Sequence, residues 1–322
     1  MRYTSLILGL ITILSFSNSY ASQFQKVESN FIITDYAKTK YPIVFNHGMF
    51  GFTRLGFKNL GMDYFYQILP DLARNGAKVY ATQVSPLEST EFRGEQLLEQ
   101  VEEILAVTGA KKVNLVGHSH GGPTIRYIEI VAPEKVASLT AVGGAFKGSK
   151  VGDNMLSNNK SKLLMTIFGE HIIAPLEIIL EGNLSLPINL DNSLHSLSEK
   201  GSAEFNAKYP SAAIPENCNS KGQKITANGV HHYSWTGTAQ FTNALDAIDI
   251  AVSTIGPAVY DNRDNDGLVA RCSTLYGQVI RDNYNQTHLD EVNLMFGLTS
   301  ILGPDAVALY RQQANRLKLE GL

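Results

Sequence analysis

Cysteine is nearly absent: Cys218 and Cys272 are the only two in 322 residues. At most one intrachain bridge can form, and its connectivity follows by arithmetic. Neither cysteine sits in a turn or beside a histidine, which argues against a cysteine nucleophile. No excess of one charge exists either, with 27 basic against 30 acidic residues and a net charge of −3. Without a basic block the chain is not built for nucleic acid, nor for an anionic membrane surface. After the N-terminus no uninterrupted apolar run reaches the ~18 residues of a membrane span. Internal repeats, low-complexity tracts and Pro/Ser-rich linkers are missing too, so a single domain is the simplest organisation.

The N-terminus reads as a processing segment. Met1-Arg2 is a short positive start, Leu6 to Leu14 an apolar stretch, and Ser19-Tyr20-Ala21 a small-x-small site. This pattern predicts a secretory signal over residues 1–21, a mature chain of 22–322 and export from the cell. In an oxidising compartment a disulfide between Cys218 and Cys272 is favoured over two free thiols.

From about residue 41, strand-like and helix-like segments alternate. Tyr41 to Phe45 is an apolar strand, Met62 to Leu72 a helix, and Lys78 to Val84 a second strand. Glu95 to Val107 has apolar residues at Leu97, Leu98, Val101, Ile104 and Leu105, the spacing of an amphipathic helix, and Gly109 stops it. The run Val113 to Val116 is a third strand, followed by helical spacing at Ile125, Ile128 and Val131, then a strand at Val136 to Val142. This order predicts an α/β fold with a mostly parallel central sheet and helices on both faces.

Between that third strand and its helix lies Gly117-His118-Ser119-His120-Gly121. A serine flanked by glycines on a sharp strand-to-helix turn is the nucleophile elbow of an α/β-hydrolase. The bare pattern is weak, and the strand before it and helix after it give it meaning. Serine needs a base to remove its proton as it attacks. In this fold the order is serine, acid, histidine. Asp261, Asp264 and Asp266 all fall late enough, and Asp266, before Gly267 and an apolar pair, is the best placed. His288 is the only histidine beyond them; His171, His195, His231 and His232 come too early. For the oxyanion, the backbone N–H of His120 and of Met49, in the HG-containing loop after the first strand, are the expected donors, each lowering the barrier by about 3 kcal/mol.

From Lys150 to about Asn217 regularity lapses. Leu163 to Leu180 is very apolar, interrupted by Gly169 and Pro175. It reads either as a core helix or as an inserted helical lid, over about 150–217, that would cover the site in water and open at a lipid surface.

The stretches NHGMFGF, RGEQLLEQV, VNLVGHSHGG, HHYSWTG, NDGLV, IRDNYNQTHLDEVN and YRQQANRLK together resemble the secreted bacterial true lipases of the Pseudomonas type, from about residue 40 to 318. The resemblance implies a triacylglycerol lipase with Ser119, Asp266 and His288 as its triad and Met49 and His120 as its oxyanion donors. It further implies one structural Ca²⁺ held by the carboxylates of Asp246 and Asp290 and the main-chain carbonyls of Leu294 and Leu298. Relatives often carry Gln at the position of Leu294, a change that a main-chain ligand tolerates. The cysteines match the disulfide-bearing branch, whose members depend on a membrane-anchored foldase chaperone and leave the cell by type II secretion. Two other readings remain: a carboxylesterase or phospholipase on the same triad, and a non-catalytic binding protein on a hydrolase scaffold.

Overall fold

In a computed structural model the described residues are 24–57, 60–158, 186–261 and 264–322. The expected signal segment, Leu163–Leu180 and His171 lie outside them. The central sheet has seven strands: β1 (Phe24–Val27), β2 (Ile43–Asn46), β5 (Val79–Thr82), β6 (Val113–His118), β7 (Val136–Val142), β8 (His231–Gly237) and β9 (Gln278–Tyr284). Their order is β1-β5-β2-β6-β7-β8-β9, and every pairing is parallel except β1 with β5. β3 (Arg54–Phe57) and β4 (Leu60–Asp63) form a separate antiparallel hairpin.

The inner strands read as continuous apolar runs because both faces are covered. On β2, Ile43 and Phe45 face one core with Ile68 and Leu72 of α1 (Ile68–Arg74), while Val44 faces the other with Leu97, Val101 and Ile104 of α2 (Thr90–Thr108). Each such side chain contributes roughly 1.5–3 kcal/mol on burial. Ser89 caps α2 by accepting from Phe92 N at 3.2 Å, and Gly109 ends it at φ 67°. After β6 comes α3 (Gly121–Val131), then α4 (Lys150–Ser157), α5 (Leu190–Leu197), α6 (Glu199–Lys208), α7 (Ala247–Val259), α8 (Arg271–Thr274), α9 (Leu294–Gly297) and α10 (Ala306–Leu319).

One predicted element is corrected. The helix expected over Met62–Leu72 starts only at Ile68, because Met62 and Asp63 pair in the hairpin, where Asp63 also takes an ion pair from Arg54 at 2.6 Å. β8 was not foreseen: its polar residues are buried against partners such as Glu129, which meets His232 at 2.9 Å. Cys218 and Cys272 are bridged, with Cα atoms 4.9 Å apart, and tie the chain after α6 to α8.

Candidate active site

Ser119 sits between β6 and α3 at φ 56°, a left-handed conformation costly for a residue with a Cβ. The flanking glycines are required by space. A Cβ on Gly117 would lie 2.2 Å from Gly121 O, and one on Gly121 would lie 2.5 Å from Asn46 O. The turn is held by Ser119 N donating to Val142 O at 3.0 Å and Gly122 N donating to Ser119 O at 2.9 Å.

Asp266 and His288 are both buried, and His288 Nδ1 lies 2.7 Å from Asp266 Oδ2. A carboxylate only accepts, so Nδ1 carries the proton, and in the neutral ring the lone pair is then on Nε2. The other oxygen, Asp266 Oδ1, accepts from Leu268 N at 2.9 Å and Val269 N at 2.7 Å. Of the other two aspartates considered, Asp264 is exposed and pairs with Arg271, and Asp261 is exposed. His195 is exposed and meets Glu204, while His231 meets Glu320. None of these reaches the serine's cavity. Ser119 and His288 line one cavity of about 420 Å³, together with Met49, Val252, Leu268 and Leu289.

The loop after β2 passes directly over the serine: a Cβ on Gly48 would fall 2.8 Å from Ser119 Cβ. Gly48 O accepts from His47 Nδ1 at 2.9 Å and from Gly51 N at 3.2 Å. The buried Arg93 reinforces this, donating to His47 O at 2.6 Å, Ser85 O at 2.6 Å and Gly48 O at 3.4 Å. In a trans peptide N–H and C=O point in opposite directions. Fixing Gly48 O therefore turns Met49 N–H the other way. Among the described residues neither Met49 N–H nor His120 N–H, at the start of α3, has a protein acceptor. Burial and the Arg93 charge hold His47 down to about 3 and His120 well below the usual histidine range, so both are neutral. Tyr64, His118, Arg93 and Glu291 were not foreseen around this site. Glu291 accepts from Thr236 Oγ1 at 2.9 Å and Gly237 N at 2.6 Å, and burial, then the charge of Asp266, pushes its carboxyl well above the ordinary range.

A buried cluster of Asp246, Asp249 and Asp290 lies beside the His288 loop, its carboxylate oxygens within 4.8 Å of one another. Burial, and the charges of Asp249 and Asp246, raise Asp290 to about 6. Three buried carboxylates in contact suit a hard divalent cation, which takes oxygen ligands and offsets their repulsion. Asp249 was not foreseen. Its Oδ2 accepts from Thr242 N at 2.7 Å and Asn243 N at 2.8 Å, and its Oδ1 from Thr287 Oγ1 at 2.9 Å, so it ties together the two loops that carry Asp246 and Asp290. Leu294 opens α9 and Leu298 follows it, so both carbonyls belong to the segment that continues from Asp290. His118, His288 and Glu291 also bring donor atoms within 4.8 Å, yet both His118 nitrogens and His288 Nδ1 are already engaged within the protein.

A family model described as alpha/beta hydrolase fold matches residues 41–276. A triacylglycerol lipase of Vibrio cholerae is 48% identical over 291 residues, covering 89% of this chain and 90% of the relative. The chain belongs to the triacylglycerol lipase family of α/β-hydrolases. The triacylglycerol lipases of Burkholderia plantarii and Pseudomonas fragi are 38% and 37% identical, each over 89% of this chain and over 88% and 99% of their own. Among solved structures, the Staphylococcus hyicus lipase superposes with a TM-score of 0.58 at 16% identity, covering 91% of this chain and 99% of that one, a likeness of fold. No helix among the described residues is long and apolar enough to cross a membrane.

Proposed function

We propose that this protein is a secreted lipase that hydrolyses long-chain triacylglycerols at lipid–water interfaces through a serine acyl-enzyme. The observation that carries the reading is the convergence of Ser119 and the Asp266–His288 pair on one cavity whose walls are largely apolar. His288 Nε2 takes the proton of Ser119 Oγ as that oxygen attacks the ester carbonyl. The oxyanion receives Met49 N–H and His120 N–H. Collapse breaks the ester C–O bond, and His288 returns the proton to the leaving diacylglycerol oxygen. Water, deprotonated by the same imidazole, then attacks the acyl-enzyme and releases the fatty acid and free Ser119. Asp266 holds the Nδ1–H tautomer throughout.

The carboxylates of Asp246 and Asp290 and the carbonyls of Leu294 and Leu298 would hold one Ca²⁺, with Asp249 orienting their loops. The ion would supply charge neutralisation and a tether for the His288 loop. Export after residue 21, a lid within 150–217 and a dedicated foldase rest on the sequence alone.

Two measurements test this reading. A fluorophosphonate should label the wild type and not Ser119→Ala, which excludes a binding protein on a dead scaffold. Emulsified triolein should be hydrolysed faster than a dissolved short-chain ester, and the reverse preference would make the protein a carboxylesterase.

A further inference from the structure

The residue before the nucleophile is a histidine with no place in the reaction. His118 is completely buried under the site, and its ring centroid is 4.5 Å from that of His288. Its Nε2 lies 2.9 Å from the main-chain carbonyl of His288, and its Nδ1 lies 2.7 Å from Tyr64 Oη. A carbonyl only accepts, so Nε2 carries the proton. Burial, and the neighbouring His288, hold this imidazole well below the usual histidine range, so it is neutral and Nδ1 accepts. Tyr64 therefore donates to His118. Its oxygen in turn accepts from Gly48 N at 3.1 Å.

The directions are thus all assigned. Gly48 N–H donates to Tyr64, Tyr64 O–H to His118, and His118 Nε2–H to the carbonyl of His288. Every donor points the same way, the arrangement in which successive hydrogen bonds polarise one another. One end is the peptide just before the one that presents Met49 N–H. At the other end is the main chain of His288, whose N–H is fixed separately by Asp266 O at 2.9 Å.

The geometry points to Tyr64 and His118 as positioning residues that lock the oxyanion loop and the catalytic histidine into one register. This inference rests on the lipase reading above. Tyr64 also lines the cavity shared by Ser119 and His288, but its hydroxyl is already engaged by Gly48 N and His118 Nδ1. In this inference each side chain acts through a main-chain group of Gly48 or His288. Tyr64 is suited to the task because its ring packs edge-on against Phe52 and Phe65, at centroid distances of 5.6 and 5.0 Å, which fixes where its hydroxyl sits. Removing the hydroxyl alone breaks the chain and leaves that packing in place.

The test compares Tyr64→Phe, His118→Leu and the double variant of the full chain on a soluble ester. Active sites are counted by fluorophosphonate titration, so that unfolded protein does not enter kcat. Tyr64→Phe should lower kcat per titrated site by about tenfold or more, part of the 10²–10³ that loss of one oxyanion donor costs. KM should stay within about twofold, because a group acting only in the transition state leaves ground-state binding alone. The double variant should fall no further than the worse single variant, as coupled residues do. Multiplicative losses, or a loss confined to the number of titratable sites, would overturn the inference, as would a Tyr64→Phe that equals a fully active wild type. A wild type that neither labels nor hydrolyses ester overturns the lipase reading itself.

Discussion

Asp266 grips His288 twice, through its carboxylate at Nδ1, 2.7 Å, and through its main-chain carbonyl at the histidine N–H, 2.9 Å. The first contact selects the tautomer and the second places the backbone. Asp266→Asn separates them. The amide keeps the volume and the main-chain grip but can present N–H to Nδ1, which turns the lone pair towards Asn and the proton towards Ser119. Activity per folded molecule should drop by roughly 10⁴ with little change in Tm. A small loss in kcat/KM on a soluble ester would show that the tautomer is held by something else.

The carboxylate cluster predicts a metal-dependent stability. A cation that binds only the folded state stabilises it by about 2.7 kcal/mol at a concentration 100 times its Kd. Chelation should therefore lower Tm, and added Ca²⁺ should restore it. Asp246→Ala should abolish the response. A melting temperature indifferent to EDTA removes the calcium assignment.

Acid should destabilise the protein below about pH 6.5, through histidines buried without charge. His47 is held down to about 3, and His118 and His120 lie well below the ordinary range, all chiefly by burial. The unfolded chain takes up these protons near 6.5 and the folded one does not. Their contribution is complete above the unfolded value and declines as pH falls towards the folded one, by up to about 1.4 kcal/mol per pH unit for each group. Asp290, raised to about 6, and Glu291, raised by burial, act in the opposite sense and offset part of the fall. His47→Gln should flatten the fall of Tm between pH 6.5 and 4.5 by about one group's share, and an unaltered slope would refute the assignment.

The disulfide closes a span of 54 residues between the chain after α6 and α8. In the chain-entropy model such a loop is worth about 4 kcal/mol. Cys218→Ser/Cys272→Ser should lose several degrees of Tm while kcat per titrated site is kept, since neither sulfur lines the catalytic cavity. A kcat loss as large as the stability loss would mean that the bridge also positions Asp266.

Periodicity and turn chemistry carried much of the fold into the sequence. Leu97, Val101 and Ile104 announced α2, the apolar run at Val113 announced β6, and the two glycines around Ser119 announced the turn between strand and helix. Serine–acid–histidine order then singled out His288. What stayed hidden depends on polar residues buried by partners far away in the chain. His232 makes sense in a strand only beside Glu129, and Asp249 as a loop tie only beside Thr242 and Thr287. Tyr64 and His118 are 54 positions apart, so no local pattern could have joined them. The hairpin before α1 was misread because Tyr64, Phe65 and Ile68 continue its apolar spacing into the helix, and nothing local marks Asp63 as the partner of Arg54.

The proposed base, His288, hangs from the sheet's margin. Among the described residues β9 has a neighbour on one side only, most of its residues are partly or fully open to solvent, and His288 follows its last residue by four positions. Margins of sheets open more readily than their centres. Partial opening at this border would thus silence catalysis while the serine's turn, on the interior strand β6, stayed folded. The aspartate cluster stands at the same border, where the proposed cation would resist local opening most directly.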